Sequence, residues 1–128
     1  MWLLLALCSC GERTPPRNLL PDTVAVVWRR TALENVPVGD APDPVPRSSI
    51  TFFQRGTYQG PGQIEVRIYR LTSSAVGLDL VQRWRPSADT VFFSQGEYFV
   101  VVKWQEAERT ALHEFVRDLE KRLGSQGA

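Results

Sequence analysis

The chain has 128 residues, 43% of them hydrophobic and 23% charged, with a formal net charge of +1 at pH 7. This length and composition suffice for one globular domain with its own hydrophobic core, without support from disulfides or a structural metal. The near-neutral charge gives no overall field that would attract nucleic acid, so we expect no nucleic-acid partner.

The first ten residues, MWLLLALCSC, form an apolar run that is too short to cross a bilayer as a helix and is typical of a secretion signal. The end of the run resembles the processing box of bacterial lipoproteins, because Leu7 lies three residues before Cys10 and the small Ser9 lies directly before it. We therefore interpret residues 1–10 as a signal and lipobox segment, with lipidation at Cys10. An ordinary cleaved signal and an apolar start of a cytosolic protein are the alternatives.

A lipidated Cys10 would carry three acyl chains, which hold a protein stably at a membrane. The polar, proline-containing residues 11–18 then form a tether. Both cysteines of the chain lie in the first ten residues, and His113 is its single histidine. We therefore expect neither a disulfide framework nor a metal site.

Residues 19–47 predict an extended segment followed by a proline-rich loop. Val24, Val26 and Trp28 alternate with their neighbours, which is typical of a short strand or an extended segment that packs on the domain. No helix or central strand tolerates the prolines that follow. These are Pro37, Pro42, Pro44 and Pro46.

Residues 48–124 alternate between strand and helix patterns, and we predict a folded domain over this range. Ile64, Val66 and Ile68 alternate with polar residues, which is typical of a strand with one buried face. Serine and threonine residues then precede a helix pattern that Pro86 ends.

The second half of this range repeats the plan, with a short aromatic strand, a turn around Gly96, a strand apolar on both faces and an amphipathic helix. Gly77, which weakens the first helix by about 1 kcal/mol, predicts that this helix lies close to the sheet. The apolar stripe of the last helix consists of Leu112, Phe115, Val116, Leu119 and Leu123. We therefore predict an α+β domain: an antiparallel sheet of four to five strands with two helices on one face, in the order ββα–ββα.

Two stretches of this domain are similar to each other at an offset of forty residues, TFFQRGTYQG (51–60) and VFFSQGEYFV (91–100). The shared pattern Phe-Phe-x-x-Gly-x-Tyr predicts a folding solution used twice, with Gly56 and Gly96 at or near turns. A paired ligand site is the alternative.

The sequence contains no pattern that is specific for catalysis. It has neither a GxSxG nucleophile motif nor a glycine-rich phosphate loop, so we expect no catalytic residues and no cofactor. His113 lies on the polar side of the last predicted helix, which is typical of a solvated side chain. An enzyme whose partner residues are spread through the fold is a further alternative, and it would bring Glu65, Asp79 or Asp89 together with His113 in one cleft.

Three features occur along the chain between Leu20 and Leu123: Leu20-Pro21 followed by Trp28, the strand EVRIYRL running into a Ser/Ala helix start, and Phe-Phe-x-x-Gly-x-Tyr-Phe-Val before the C-terminal helix. On these features the chain resembles a bacterial family of small secreted or lipid-anchored proteins of unknown function. The resemblance implies a location in the cell envelope and an α+β fold, and it brings no catalytic residues with it.

An anchor-like N-terminus on a domain without a catalytic pattern favours a membrane-anchored lipoprotein of the bacterial cell envelope, acting as a binding or assembly module for an unknown envelope protein. The alternative is a small-molecule or lipid carrier that uses the exposed sheet face. The candidate contact residues for a ligand or partner are Arg55, Glu65, Arg67 and Tyr69.

Overall fold

The computed structural model describes residues 19–41, 45–85 and 87–126. The predicted signal, the lipidation at Cys10 and the tether lie outside these residues. Among the described helices, none is long and apolar enough to cross a membrane. The helices and strands are β1 (Thr23–Val24), β2 (Trp28–Asn35), β3 (Ile50–Gly60), β4 (Gly62–Leu71), α1 (Ser74–Arg83), β5 (Thr90–Gln95), β6 (Tyr98–Gln105) and α2 (Arg109–Gln126).

The six described strands form one antiparallel sheet in the order β1-β2-β3-β4-β6-β5. The α+β class with an antiparallel sheet and two helices is thus confirmed, and the predicted number of four to five strands is wrong. From β3 onward the elements broadly follow the order ββα–ββα, with β1 and β2 added before them. The sequence of β2 does not predict a strand of this length because, of its eight residues, only Trp28 is buried.

The two helices lie on opposite faces of the sheet, so the prediction that both pack on one face is wrong. Val101 and Val102 are successive residues of β6, and their side chains therefore point to opposite faces. Val102 lies in a buried cluster with Phe115 of α2, whereas Val101 lies in a second cluster with Leu80 of α1. Because β6 is apolar on both sides, each side needs a cover. We call the two sides the α2 face and the α1 face.

The segment before β1 is held on the sheet by side chains. The buried amide of Gln54 accepts a hydrogen bond from the backbone nitrogen of Leu19 at 3.0 Å, and the Tyr58 hydroxyl donates to the carbonyl of Pro21 at 2.6 Å. Leu20 is fully buried between them. The chain is therefore fixed to the domain from Leu19 onward.

The proline-rich segment helps to cover the α1 face. Ala41 and Val45 are both buried, and they pack with Ile50 and Phe53 of β3. Short 3₁₀ turns at Val38–Asp40 and Arg47–Ser49 precede and follow them.

Two helical glycines allow both helices to approach β5. A Cβ atom at Gly77 in α1 would lie 3.2 Å from the Cβ of Ser94, and one at Gly124 in α2 would lie 3.1 Å from Nε2 of Gln95. The close approach predicted for Gly77 is confirmed. Since Ser94 and Gln95 are consecutive, the end of β5 is held between the two helices.

The repeated Phe-Phe-x-x-Gly-x-Tyr pattern is not a repeated structure. Gly56 lies inside β3, where its missing side chain makes room for Leu20: a Cβ would come within 2.8 Å of Leu20 Cδ1. Gly96 lies in the turn between β5 and β6 with φ of +60°. The turn position is therefore correct for Gly96 and wrong for Gly56. The tight turn between β3 and β4 is formed instead by Pro61 and its flanking glycines.

Candidate functional site

The α1 face is covered over only a part of its length. Helix α1 and the proline-rich segment cover the aromatic residues Phe53, Tyr69 and Phe99, which are all buried. Nearer the turn between β3 and β4, the side chains on the same face are polar and reach solvent. We call this surface the open half-face, and its residues are Glu34, Arg55, Thr57, Glu65, Arg67 and Lys103.

Strand register brings these residues together in two rows. Glu34, Arg55 and Arg67 are aligned across β2, β3 and β4. In the next row Thr57, Glu65 and Lys103 are aligned across β3, β4 and β6. Of the four contact residues predicted from the sequence, the structure therefore places Arg55, Glu65 and Arg67 side by side on one exposed surface.

Tyr69, the fourth predicted residue, lies on the same face but does not contribute to its exposed part. Its ring stacks on Phe53 with a centroid separation of 4.5 Å and is 1% exposed. Burial raises the pKa of Tyr69 to about 12. Alternation along β4 gives the face of Tyr69 correctly, but the cover provided by α1 and the proline-rich segment depends on tertiary packing.

Arg55 and Arg67 are direct cross-strand neighbours, an arrangement in which like charges destabilise a sheet. Arg55 Nη2 donates to Glu34 Oε1 at 2.7 Å, and Arg67 Nε donates to Glu65 Oε2 at 3.1 Å. The hydrogen bond to Glu34 raises the pKa of Arg55, against a smaller opposing effect of burial. A guanidinium group has five N–H donors, so each arginine keeps donors for an incoming anion.

A cavity of about 520 Å³ adjoins the open half-face. Polar side chains dominate its lining. Lys103 of β6 and Glu65 of β4, which are direct cross-strand neighbours, both contribute to it. Sequence reasoning missed Thr57 and Lys103, which only the strand register brings next to Glu65. The lining residues are Thr57, Gln63, Ile64, Glu65, Asp89, Lys103, Trp104 and Gln105.

The structure does not bring Glu65, Asp79 or Asp89 together with His113 in one cleft. Glu65 and Asp89 line the cavity beside the open half-face, whereas His113 lines a separate groove along α2. Asp79 lies on α1, where it forms an ion pair with Arg83 at 2.9 Å. In the part of the chain that the structure describes, no group of three or more histidine, cysteine, aspartate or glutamate residues is placed to hold a metal ion.

No protein-family model matches the chain, and no significant match was found among curated proteins or solved structures. The resemblance to small secreted or lipid-anchored bacterial proteins therefore stays a prediction.

Proposed function

We propose that the protein is a membrane-anchored lipoprotein of the bacterial cell envelope, whose domain binds a partner through the open half-face and performs no catalysis. The observation that carries the proposal is the partly exposed pair Arg55–Arg67 on the two central strands β3 and β4. Threonine or valine at either position would remove the repulsion and suit a strand better. Local conflicts of this kind are expected where a surface serves binding.

The anchor supports a partner that is itself at the membrane. Residues 11–18 are all that separates the predicted lipidation site, Cys10, from Leu19, which is bound to Gln54. At about 3.3–3.6 Å per residue, this tether spans at most roughly 30 Å when fully extended. The domain then stays within about its own diameter of the bilayer, where envelope proteins are the available partners.

The charges of the open half-face favour a partner with exposed carboxylates. Arg55, Arg67 and Lys103 provide three cations on this surface, against the acids Glu34 and Glu65. Arginine binds carboxylates with two parallel hydrogen bonds, which adds orientation to attraction. An assembly role follows, in which the domain holds an acidic segment of an envelope protein close to the membrane.

Photo-crosslinking in cells tests this proposal. We expect a crosslinking amino acid at Thr57, on the open half-face, to give a discrete adduct, and the same amino acid at Gln82, on the outer side of α1, to give none. The variant R55Q/R67Q should stay folded by circular dichroism and lose the adduct, because the exposed guanidinium groups are not part of the core. R83Q, which removes an exposed arginine elsewhere, is the control and should keep it.

Two results would contradict the proposal. One is an adduct at Thr57 that persists in R55Q/R67Q, since the arginine pair would then not be used. The other is turnover of a substrate by the purified domain without added metal, since binding would then not be its role.

A second candidate function, carriage of a small molecule, is favoured by the 520 Å³ cavity beside Glu65 and Lys103. This volume is within the range of about 300–1,000 Å³ that small-ligand sites occupy. Its largely polar lining suits a polar molecule better than an acyl chain. Native mass spectrometry should then show a co-purifying ligand that is lost in K103Q, and a bare domain after gentle purification would count against carriage.

A further inference from the structure

A groove of about 560 Å³ runs between α2 and the edge of the sheet formed by β5 and the end of β6. It lies on the α2 face and is separate from the open half-face. The groove has an apolar floor and a charged rim. Its lining residues are Ala88, Val91, Trp104, Ala107, Arg109, Leu112, His113, Val116, Arg117 and Glu120.

The floor of the groove is continuous with the hydrophobic core. Leu112 is buried in the cluster beneath α2, and Val91, Trp104 and Val116 pack against this cluster while staying partly exposed. An apolar body laid on these side chains would remove their apolar surface from water, which favours binding.

The rim is formed by one side of α2. Arg109, His113 and Arg117 follow each other at intervals of four residues, which places them on the same side of the helix, and all three are exposed. Neither arginine forms an ion pair with a carboxylate among the described residues, in contrast to Arg122 on the same helix, which pairs with Asp118 at 3.1 Å. Glu120 is the one acid in the lining, and it pairs with neither arginine.

Arg109 lies at a position that is unfavourable for a cation. It is the first residue of α2, where the helix dipole disfavours a cation. The sequence therefore keeps a cation at this end of the rim against the local preference of the helix, as expected for a surface that receives an anion.

We propose that this groove binds an amphiphilic carboxylate, with its apolar body on Val91, Leu112 and Val116 and its carboxylate against Arg109 and Arg117. The volume lies within the range of about 300–1,000 Å³ found for small-ligand sites. A carboxylate would also supply a counter-charge at a rim whose two arginines form no ion pair among the described residues. This site depends on neither the lipid anchor nor the open half-face.

Decanoate, kept below its micellar concentration, is the probe, and decanol is its uncharged counterpart. In heteronuclear NMR titrations of the purified domain we expect saturable shifts centred on Val91, Leu112 and Val116, which line the groove and not the cavity beside the open half-face. Decanol should bind about tenfold more weakly, since the interaction with the arginines is lost.

Variants separate the two parts of the site. R109Q/R117Q should weaken decanoate binding roughly tenfold and leave decanol binding unchanged. R83Q, which removes an exposed arginine of α1 outside the groove, should change neither. If the double variant loses its helical circular dichroism, R117Q alone serves the same comparison, with an intermediate effect expected.

Three outcomes would overturn the proposal. Equal affinity for decanol and decanoate would mean that no anion is recognised. Shifts centred on Thr57 and Glu65 would place binding at the other cavity. Binding of anionic phospholipid vesicles without saturable decanoate binding would assign the arginines to a membrane surface instead of a ligand site.

Discussion

At the scale of single residues, Gly96 and Gly39 form a matched pair. A Cβ atom at either position would meet nothing within 4 Å, but only Gly96 has a positive φ, +60°. An L side chain is disfavoured in that conformation, so G96A should lower the free energy of unfolding by about 1 kcal/mol. G39A should leave it unchanged or slightly raised, because alanine restricts the unfolded chain. Urea unfolding of both variants is the measurement, and equal losses would contradict the backbone argument.

Glu108 gives a prediction about pH. Its carboxylate accepts hydrogen bonds from the backbone nitrogens of Ala111 at 2.9 Å and Thr110 at 3.1 Å, at the start of α2. These hydrogen bonds lower the pKa of Glu108, and the bond from Ala111 has the larger effect. A folded-state pKa below the unfolded value means that the stabilisation is complete above the unfolded value and is lost as the pH falls through the folded one.

E108A should therefore lower Tm by a few degrees at pH 7, and its difference from the wild type should shrink below about pH 4. Thermal unfolding followed by circular dichroism across this range is the measurement. E114A, an exposed acid of the same helix, is the control and should show no such trend. A difference that is constant from pH 7 to about pH 3 would mean that the carboxylate charge does not matter.

The same residues show what local sequence can predict. The role of Glu108 at a helix start and the turn at Gly96 follow from nearby residues, because capping and positive φ are local properties. Gly56 shares with Gly96 the two preceding phenylalanines and the tyrosine two residues later, yet its reason for being glycine is Leu20, which is distant in the chain. The shared pattern alone therefore does not distinguish the two glycines.

At the scale of elements, Trp28 joins the first long strand to the last helix. Its indole Nε1 donates to the carbonyl of Ala111 in α2 at 3.0 Å, and its ring meets Phe115 edge-on at 5.8 Å. W28F removes the hydrogen bond and leaves a void, so we expect a loss of about 2–4 kcal/mol in urea unfolding. Trp84 is the control, because it is partly exposed and stacks on Phe92. W84F should lower the free energy of unfolding by about 1 kcal/mol. Equal costs would refute the structural role of Trp28.

The sequence contains a signal for helices on both faces of the sheet, but none for the number of strands. Residues 99–102 of β6 are all buried, and a strand that is apolar on both sides requires a cover on both. Two helices on opposite faces are the simplest way to provide it. The strand β2 is different, because Ala32 and Glu34 face solvent and only pairing with β3 makes the segment a strand.

At the scale of the whole molecule, the residues before β1 belong to the folded unit. Leu19 and Leu20 are buried, and the carbonyl of Pro21 accepts the hydrogen bond of Tyr58. A chain that begins at Thr23 should therefore be less stable than one that begins at Leu19, by at least about 3 kcal/mol, since two core leucines are lost and Gln54 keeps an unpaired buried oxygen. Equilibrium unfolding of the two chains is the comparison. Equal stability would mean that the contacts of this segment contribute nothing.

Part of the candidate site could be predicted from the sequence, because strand periodicity is a local property. Glu65 and Arg67 alternate within one strand, so their shared face follows from the period of a strand. Glu34 and Lys103 join them only through the pairing of β2 with β3 and of β4 with β6, which depends on the whole sheet. The burial of Tyr69 likewise depends on α1 and on the proline-rich segment.

The intact mass of the mature protein shows whether the domain is tethered to a membrane through Cys10. The full chain would be produced in bacteria, extracted from membranes with detergent and measured by mass spectrometry. We expect a chain that begins at Cys10 and carries the added mass of three acyl groups. A C10S variant, which removes the thiol that receives the lipid, should lack this mass and leave the membrane fraction. A wild-type chain that retains Met1 and both free thiols would rule out the tether.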